Sequence, residues 1–182
     1  MDKRRPSDPI PPDRGRSVWE SRGLPQFESV AAAISIIRLS RIVRAALDDI
    51  LASLDITFGH YEVLGHLAFK KDGRSQMGRL CRLLDVHPAS MTNTIDRMAE
   101  RGLVERVTDP SDRRAVIVRI TPQGAKLYEK ATTALLEIRF GMRTLDDGEL
   151  DTVTAILGNL YEAYNLPAGN PSPLGSFTAT DQ

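Results

Sequence analysis

The sequence predicts a mainly helical α+β unit: six helices, with one β-hairpin between the fourth and the fifth. Three observations predict it. From Gln26 to Leu54 there is neither proline nor glycine, and apolar residues recur at helical spacing. Val104–Thr108 and Ala115–Thr121 are rich in β-branched residues that alternate with polar ones, on either side of Asp109-Pro110-Ser111-Asp112, which is turn chemistry. Helix start and stop signals punctuate the remainder at intervals too short for a large sheet.

The elements follow in order. Residues 1–24 form an extension expected to be largely disordered; its first 17 residues hold four prolines and five Lys or Arg. The single domain then runs over 25–166. Its first helix, 26–54, carries Val30, Ile34, Ile37, Ile42, Ala45, Ala46 and Leu54 as apolar positions. At ~1.5 Å per residue such a helix is longer than a small lobe can cover, so part of its stripe is expected to meet another chain. Thr57 is placed to cap a helix through Phe69, with Tyr61, Leu64, Leu67 and Ala68 inward. Ser75 is expected to cap a short helix, QMGRLCRLL, and His87-Pro88 opens the next, proline being well tolerated at the first helical position. Gly102 closes that helix as a left-handed cap. After the hairpin, Pro122 starts a helix to about Arg143. Thr144 is expected to cap a last one with Leu150, Val153, Leu157, Leu160 and Tyr164 on one stripe. The tail, 167–182, is expected to be disordered. Helices 25–54 and 122–165 lie outside the central unit, 57–121, and form the expected dimerisation region.

Composition excludes several classes. No apolar run reaches the ~18 residues that a membrane span needs, and the basic N-terminus has no apolar core of a secretory signal. A single cysteine suits a reducing cytoplasm, the expected location. Cys81 is expected to be a buried structural residue in its short helix. Cys81 and three scattered histidines make no metal site, and no cofactor is expected. There is no nucleophile–base pair and no phosphate-cradling loop, so the chain does not read as an enzyme. Net charge is zero but unevenly spread: residues 70–120 carry eleven basic and seven acidic groups, whereas residues 121–182 carry four and eight. The basic segment is the one that would face phosphate.

Within helix 88–101, Met91, Ile95 and Met98 share one face and should pack onto helices 57–69 and 75–84. The other side presents Ala89, Ser90, Thr92, Asn93, Asp96 and Arg97. Short polar side chains near a helix N-terminus suit entry into a major groove, where Asn93 can pair with adenine and Arg97 can reach guanine or phosphate. Such residues on an isolated amphipathic helix would simply be solvated. The hairpin that follows changes the reading: Arg113 and Arg114 at its tip suit a narrow minor groove, and Asp112 would orient one of them. The expected partner is double-stranded DNA. A winged-helix protein-interaction module without sequence-specific DNA binding is the alternative.

From Leu80 to Leu127 the chain resembles the winged helix-turn-helix of the MarR family of bacterial transcriptional regulators, through PASMTNTIDRMAERGLVER, DPSDRRAVIVRIT and TPQGAKL. Helix order over 26–164 agrees. The resemblance implies a homodimer on a palindromic operator, usually a repressor released by a small-molecule effector. It makes Ser90, Thr92, Asn93 and Arg97 recognition-helix contacts and Arg113 and Arg114 wing contacts. Two positions depart from the pattern: Asn93 stands where many members carry arginine, and His87 where a Ser or Thr cap is usual, which makes that cap weaker and pH-sensitive. Family ligands sit between the dimer helices and the reading lobe, where Arg38, Arg41, His60, Tyr61 and His66 are the candidates. Arg38 and Arg41, one turn apart, would hold an anionic or aromatic ligand; a solvated basic face is the plainer reading. Trp19 with ESRGLPQFES resembles the extension of the urate-responsive subgroup, but with Glu62 where aspartate is usual.

Overall fold

The computed structural model describes residues 15–108 and 116–163. The chain divides into two compact units, Met1–Ala46 and Leu47–Gln182. The expected disordered tail, the tip turn 109–112 and the N-terminal residues 1–14 lie outside the described residues.

In the first unit, residues 16–21 are helical although the whole extension to residue 24 reads as disordered from its composition. This is α1 (Arg16–Ser21). It is held by contacts that composition does not reveal. The Arg16 guanidinium lies 4.6 Å over the Phe27 ring and pairs with Glu28 at 2.7 Å, and the Trp19 indole N–H donates to the Pro25 carbonyl at 3.0 Å. The long helix α2 (Phe27–Leu51) crosses the division between the units and continues as a 3-10 turn, Ala52–Leu54. Ile34, Ile36, Ile37, Leu39 and Ile42 of α2 are all exposed.

The second unit holds α3 (Phe58–Ala68), β1 (Arg74–Gln76), α4 (Met77–Leu83), α5 (Pro88–Glu100), β2 (Val104–Thr108), β3 (Val116–Ile120), α6 (Pro122–Glu137), a 3-10 turn (Arg139–Gly141) and α7 (Asp147–Ala163). Among the described residues there are thus seven α-helices and one antiparallel sheet of three strands, ordered β1-β3-β2. The hairpin pairs Val104 with Ile120 through Thr108 with Val116. On its other side β3 pairs Ser75 with Val118. Ser75 is therefore not a helix cap: it is buried in the added strand β1, and α4 starts after Gln76 without a side-chain cap. Three residues are too few for an alternation to show.

Further boundaries differ from the sequence reading. Helix α6 stops at Glu137 because Arg139, Phe140 and Gly141 all take positive φ (48°, 50° and 81°), which ends a right-handed helix. The last helix is capped by Asp146, not Thr144. The Asp146 carboxylate accepts the Glu149 N–H at 2.8 Å, and Glu149 accepts the Asp146 N–H at 2.9 Å, a reciprocal box. Cys81 is half-buried, not buried.

The core of this unit is Leu47, Leu51, Ile56, Tyr61, Leu64, Leu67, Leu80, Met91, Ile95, Met98, Val104, Val118 and Leu135. Tyr61 stacks on Tyr128 at 5.1 Å and on Phe58 at 5.6 Å. Helices α3 and α6 meet closely at Gly65, where a Cβ would come within 2.9 Å of the Tyr128 ring. Among the described residues no helix is long and apolar enough to cross a membrane, and no group of three or more His, Cys, Asp or Glu could hold a metal ion.

Candidate nucleic-acid interface

Helix α5 is built to show one face outward. Met91, Ile95 and Met98, at spacings of four and three, are each at most 1% exposed. Among the described residues α5 lies closest to α4 and strand β2. Rotating by the same period brings Ala89, Ser90, Asn93 and Arg97 to the exposed side. Thr92 is half-buried, and its hydroxyl donates back to the Pro88 carbonyl at 3.0 Å. That bond satisfies the hydroxyl locally, so Thr92 is less available than its neighbours.

Both ends of α5 are fixed. At the N-terminus His87 caps through Nδ1, which accepts the Ala89 N–H at 3.2 Å, with Pro88 at the first helical position. The exposed Ala89 and Ser90 belong to this first turn, at the end of the helix where the aligned peptide dipoles leave partial positive charge. At the C-terminus Gly102 takes φ +67°, and the N–H of Leu103 returns to the Met98 carbonyl at 2.9 Å. That is the glycine cap the sequence predicts. Arg101 reaches back from the same end: its guanidinium donates to the Asp55 carbonyl and, at 3.5 Å, to the Leu54 carbonyl. The Asp55 carboxylate lies 3.4 Å from it.

The wing strands are locked to this helix and to α6. Asp96 of α5 accepts from Arg106 of β2, tying the helix to the strand beside it. Asp96 thus supports the geometry and is half-buried. At the base of β3 the Thr121 hydroxyl donates to the Gly102 carbonyl at 2.7 Å and accepts the Gly124 N–H at 3.0 Å, so one side chain joins the end of α5 to the start of α6. Gly124 must be glycine: a Cβ there would collide with the Leu103 carbonyl, 3.0 Å from its carbon, and stand 3.1 Å from Ile120. Sequence reasoning passed over Arg101, Arg106, Thr121 and Gly124. The signals were present in the polar residues just beyond a helix end and in a glycine two residues after a helix-starting proline.

Asp112, Arg113 and Arg114 lie outside the described residues. Of the candidate ligand residues, Arg38 and Arg41 belong to the first unit and are exposed. His60, Tyr61 and His66 belong to the second, and each already has a place in it. His60 closes the cap of α3: its Nδ1 accepts the Thr57 N–H at 3.1 Å while its own N–H reaches Thr57 Oγ1 at 3.4 Å. Burial, then the cations Arg101 and Arg97, hold its imidazole below the usual range of protonation. Tyr61 is a core residue whose hydroxyl meets Thr132 at 3.2 Å, and burial pushes its ionisation well up. His66 is buried, with its Nε2 finding no hydrogen-bond partner among the described residues. Burial, then Lys70 and Arg79, lowers its protonation as well.

A helix with one buried and one presented face, preceded by a short helix and followed by a β-hairpin, defines a winged helix-turn-helix. Residues 54–115 match the MarR family. The chain is 34% identical to Sco5413, a MarR family transcriptional regulator from Streptomyces coelicolor. That crystal structure matches with a TM-score of 0.71 over 75% of this chain and 95% of the other. The uncharacterized HTH-type transcriptional regulator YhbI of Bacillus subtilis (strain 168) is 30% identical over 115 residues, 63% of this chain and 73% of the relative. A mutant of MarR from E. coli, solved in complex with operator DNA, is 25% identical, with a TM-score of 0.65 over 73% of this chain and 95% of the other. The chain belongs to the MarR family of transcriptional regulators, which are not enzymes.

Proposed function

We propose that this protein binds double-stranded DNA as a homodimer, one α5 in each of two successive major grooves of a palindromic operator, and represses transcription there. The observation that carries the reading is the division of α5: three apolar side chains are sealed inside while Ala89, Ser90, Asn93 and Arg97 stand exposed on a helix fixed at both ends. An element anchored in this way can present hydrogen-bonding groups in a fixed register, as reading base edges requires. The operator complex of the E. coli relative supports it. Arg113 and Arg114 are assigned to the adjacent minor groove, with Asp112 orienting one of them. Dimerisation is supported by the exposed apolar side chains of α7, namely Val153, Ile156, Leu157, Leu160 and Tyr161, and by those of α2.

Release by a small anionic or aromatic effector completes the proposal. Its support is the pair Arg38 and Arg41, exposed and one turn apart, neither of which makes an ion pair among the described residues. A thermal-shift series with aromatic acids should raise the melting temperature of the wild type and not that of an Arg38→Ala, Arg41→Ala double variant. The DNA reading is tested by selection from a random duplex library with the purified full chain. Recovered sequences should contain an inverted repeat with half-sites about 10 base pairs apart, centre to centre, or a multiple of that. Recovery of unrelated sequences, bound no better than the starting pool, would refute it.

A further inference from the structure

The connector between α2 and α3 is held from two directions at once. From the C-cap of α5, Arg101 donates to the carbonyls of Leu54 and Asp55 and faces the Asp55 carboxylate. From α3, His60 Nδ1 accepts the Thr57 N–H and lies 3.2 Å from the Thr57 hydroxyl. Between these anchors Asp55 sits at φ +56°, in the left-handed region that Asp adopts more readily than most non-glycine residues, and ends the 3-10 turn there. A third tie comes from Asp48, whose carboxylate accepts the Phe58 N–H at 2.6 Å. Four residues, Leu54 to Thr57, thus carry both the cap of α3 and the anchor of the far end of α5.

We propose that His60 is a positioning residue for the DNA-facing helix, acting through this connector on Arg101, and that it does so only as a neutral imidazole. The geometry decides the protonation state. An Nδ1 that accepts a backbone N–H carries no proton, so the neutral ring holds its hydrogen on Nε2. A proton added at Nδ1 removes the acceptor, leaves the Thr57 N–H unsatisfied and places a cation at the positive end of the α3 dipole.

The charged groups facing His60 are Arg97 from α5, Arg101 from its C-cap, Asp55 from the connector and Asp48 from α2. Two of them are the very arginines whose placement is at stake: one is exposed toward the proposed DNA face, and the other is the anchor. A protonated His60 repels both and competes for Asp55 and Asp48. The sign follows from the lowered protonation of the folded state. The His60 contribution to stability is complete above the ordinary histidine value of 6.5 and is lost as pH falls below it. His66 titrates in the same direction, and His87 caps α5 by the same kind of bond. Only a difference between the wild type and a His60 variant therefore isolates the effect.

The DNA arm of the test rests on the proposed function; the exchange arm does not. His60→Gln and His60→Glu both keep a side-chain acceptor for the Thr57 N–H, in a Thr-x-x-Gln or Thr-x-x-Glu box, without a group that titrates near pH 6. With the full chain and the selected palindrome, lowering pH from about 7.5 to 5.5 should weaken wild-type binding roughly three- to tenfold more than binding by either variant. Hydrogen exchange of the wild type, corrected for its intrinsic pH dependence, should show lost protection in the first turn of α3 and the last turn of α5 at the lower pH, and little loss in the variants. Equal pH slopes for wild type and variants, or unchanged wild-type protection, would overturn the proposal. If no DNA binds at either pH, the functional reading fails while the exchange data still decide the role of His60.

Discussion

Helices α5 and α7 follow one amphipathic plan and meet opposite surroundings. In α5 the apolar stripe is buried within the same chain, with α4 and β2 alongside, and Ile95 is 0% exposed. In α7 a stripe of similar spacing leaves Ile156 56% and Leu160 41% exposed. The spacing of apolar residues is thus the same signal in both helices and does not say whose surface covers them. For α5 the cover is intramolecular, so its polar face points to solvent and is available for a ligand as large as a duplex. For α7 the stripe itself points to solvent, and a second chain is the cover we propose.

The two helices should therefore respond differently to substitution. Ile95→Ala removes packing inside a single chain and should lower unfolding free energy by about 2–5 kcal/mol, read from urea denaturation. Gly124→Ala, at the junction that holds the hairpin to α6, should cost about 1–3 kcal/mol, because the backbone of Leu103 cannot give way as a flexible side chain would. Ile156→Glu in α7 should leave the secondary structure of each chain intact and shift the sedimenting species from two chains to one. A monomeric wild type would remove α7 from the comparison. Asp96→Asn should have a smaller effect on folding than Ile95→Ala, about 0.2–1 kcal/mol, since its pair with Arg106 is partly exposed. Its DNA affinity should fall by more than that loss of stability accounts for if the pair sets the angle between helix and wing.

Much of this architecture was legible wherever one physical cause dominates a short stretch. The face of Met91, Ile95 and Met98, the hairpin strands, the Thr57 cap and the glycine at 102 all follow from local periodicity or local backbone chemistry. What escaped the sequence depends on partners remote in the chain. Ser75 reads as a cap by residue type, yet β3, more than forty residues on, recruits it into a strand. The stop of α6 has no proline, and its first glycine comes only after Arg139 and Phe140 have already turned left-handed. Among the site residues, the exposed set on α5 was legible from its period. The anchors were not: Arg101 reaches Asp55, and Asp96 meets Arg106, through geometry that only the folded chain supplies.

The central claim is that the outward face of α5 recognises DNA while its inward face merely holds it in place. The most direct measurement is a fluorescence-anisotropy titration of the selected palindrome with wild type, Asn93→Ala and Arg97→Ala, alongside thermal melts of each. We expect melting to be unchanged within the equivalent of about 0.5 kcal/mol, and affinity for the palindrome to fall at least about fivefold for each variant, as loss of a base-edge or phosphate contact requires. Variants that bind the palindrome as tightly as the wild type would contradict the claim.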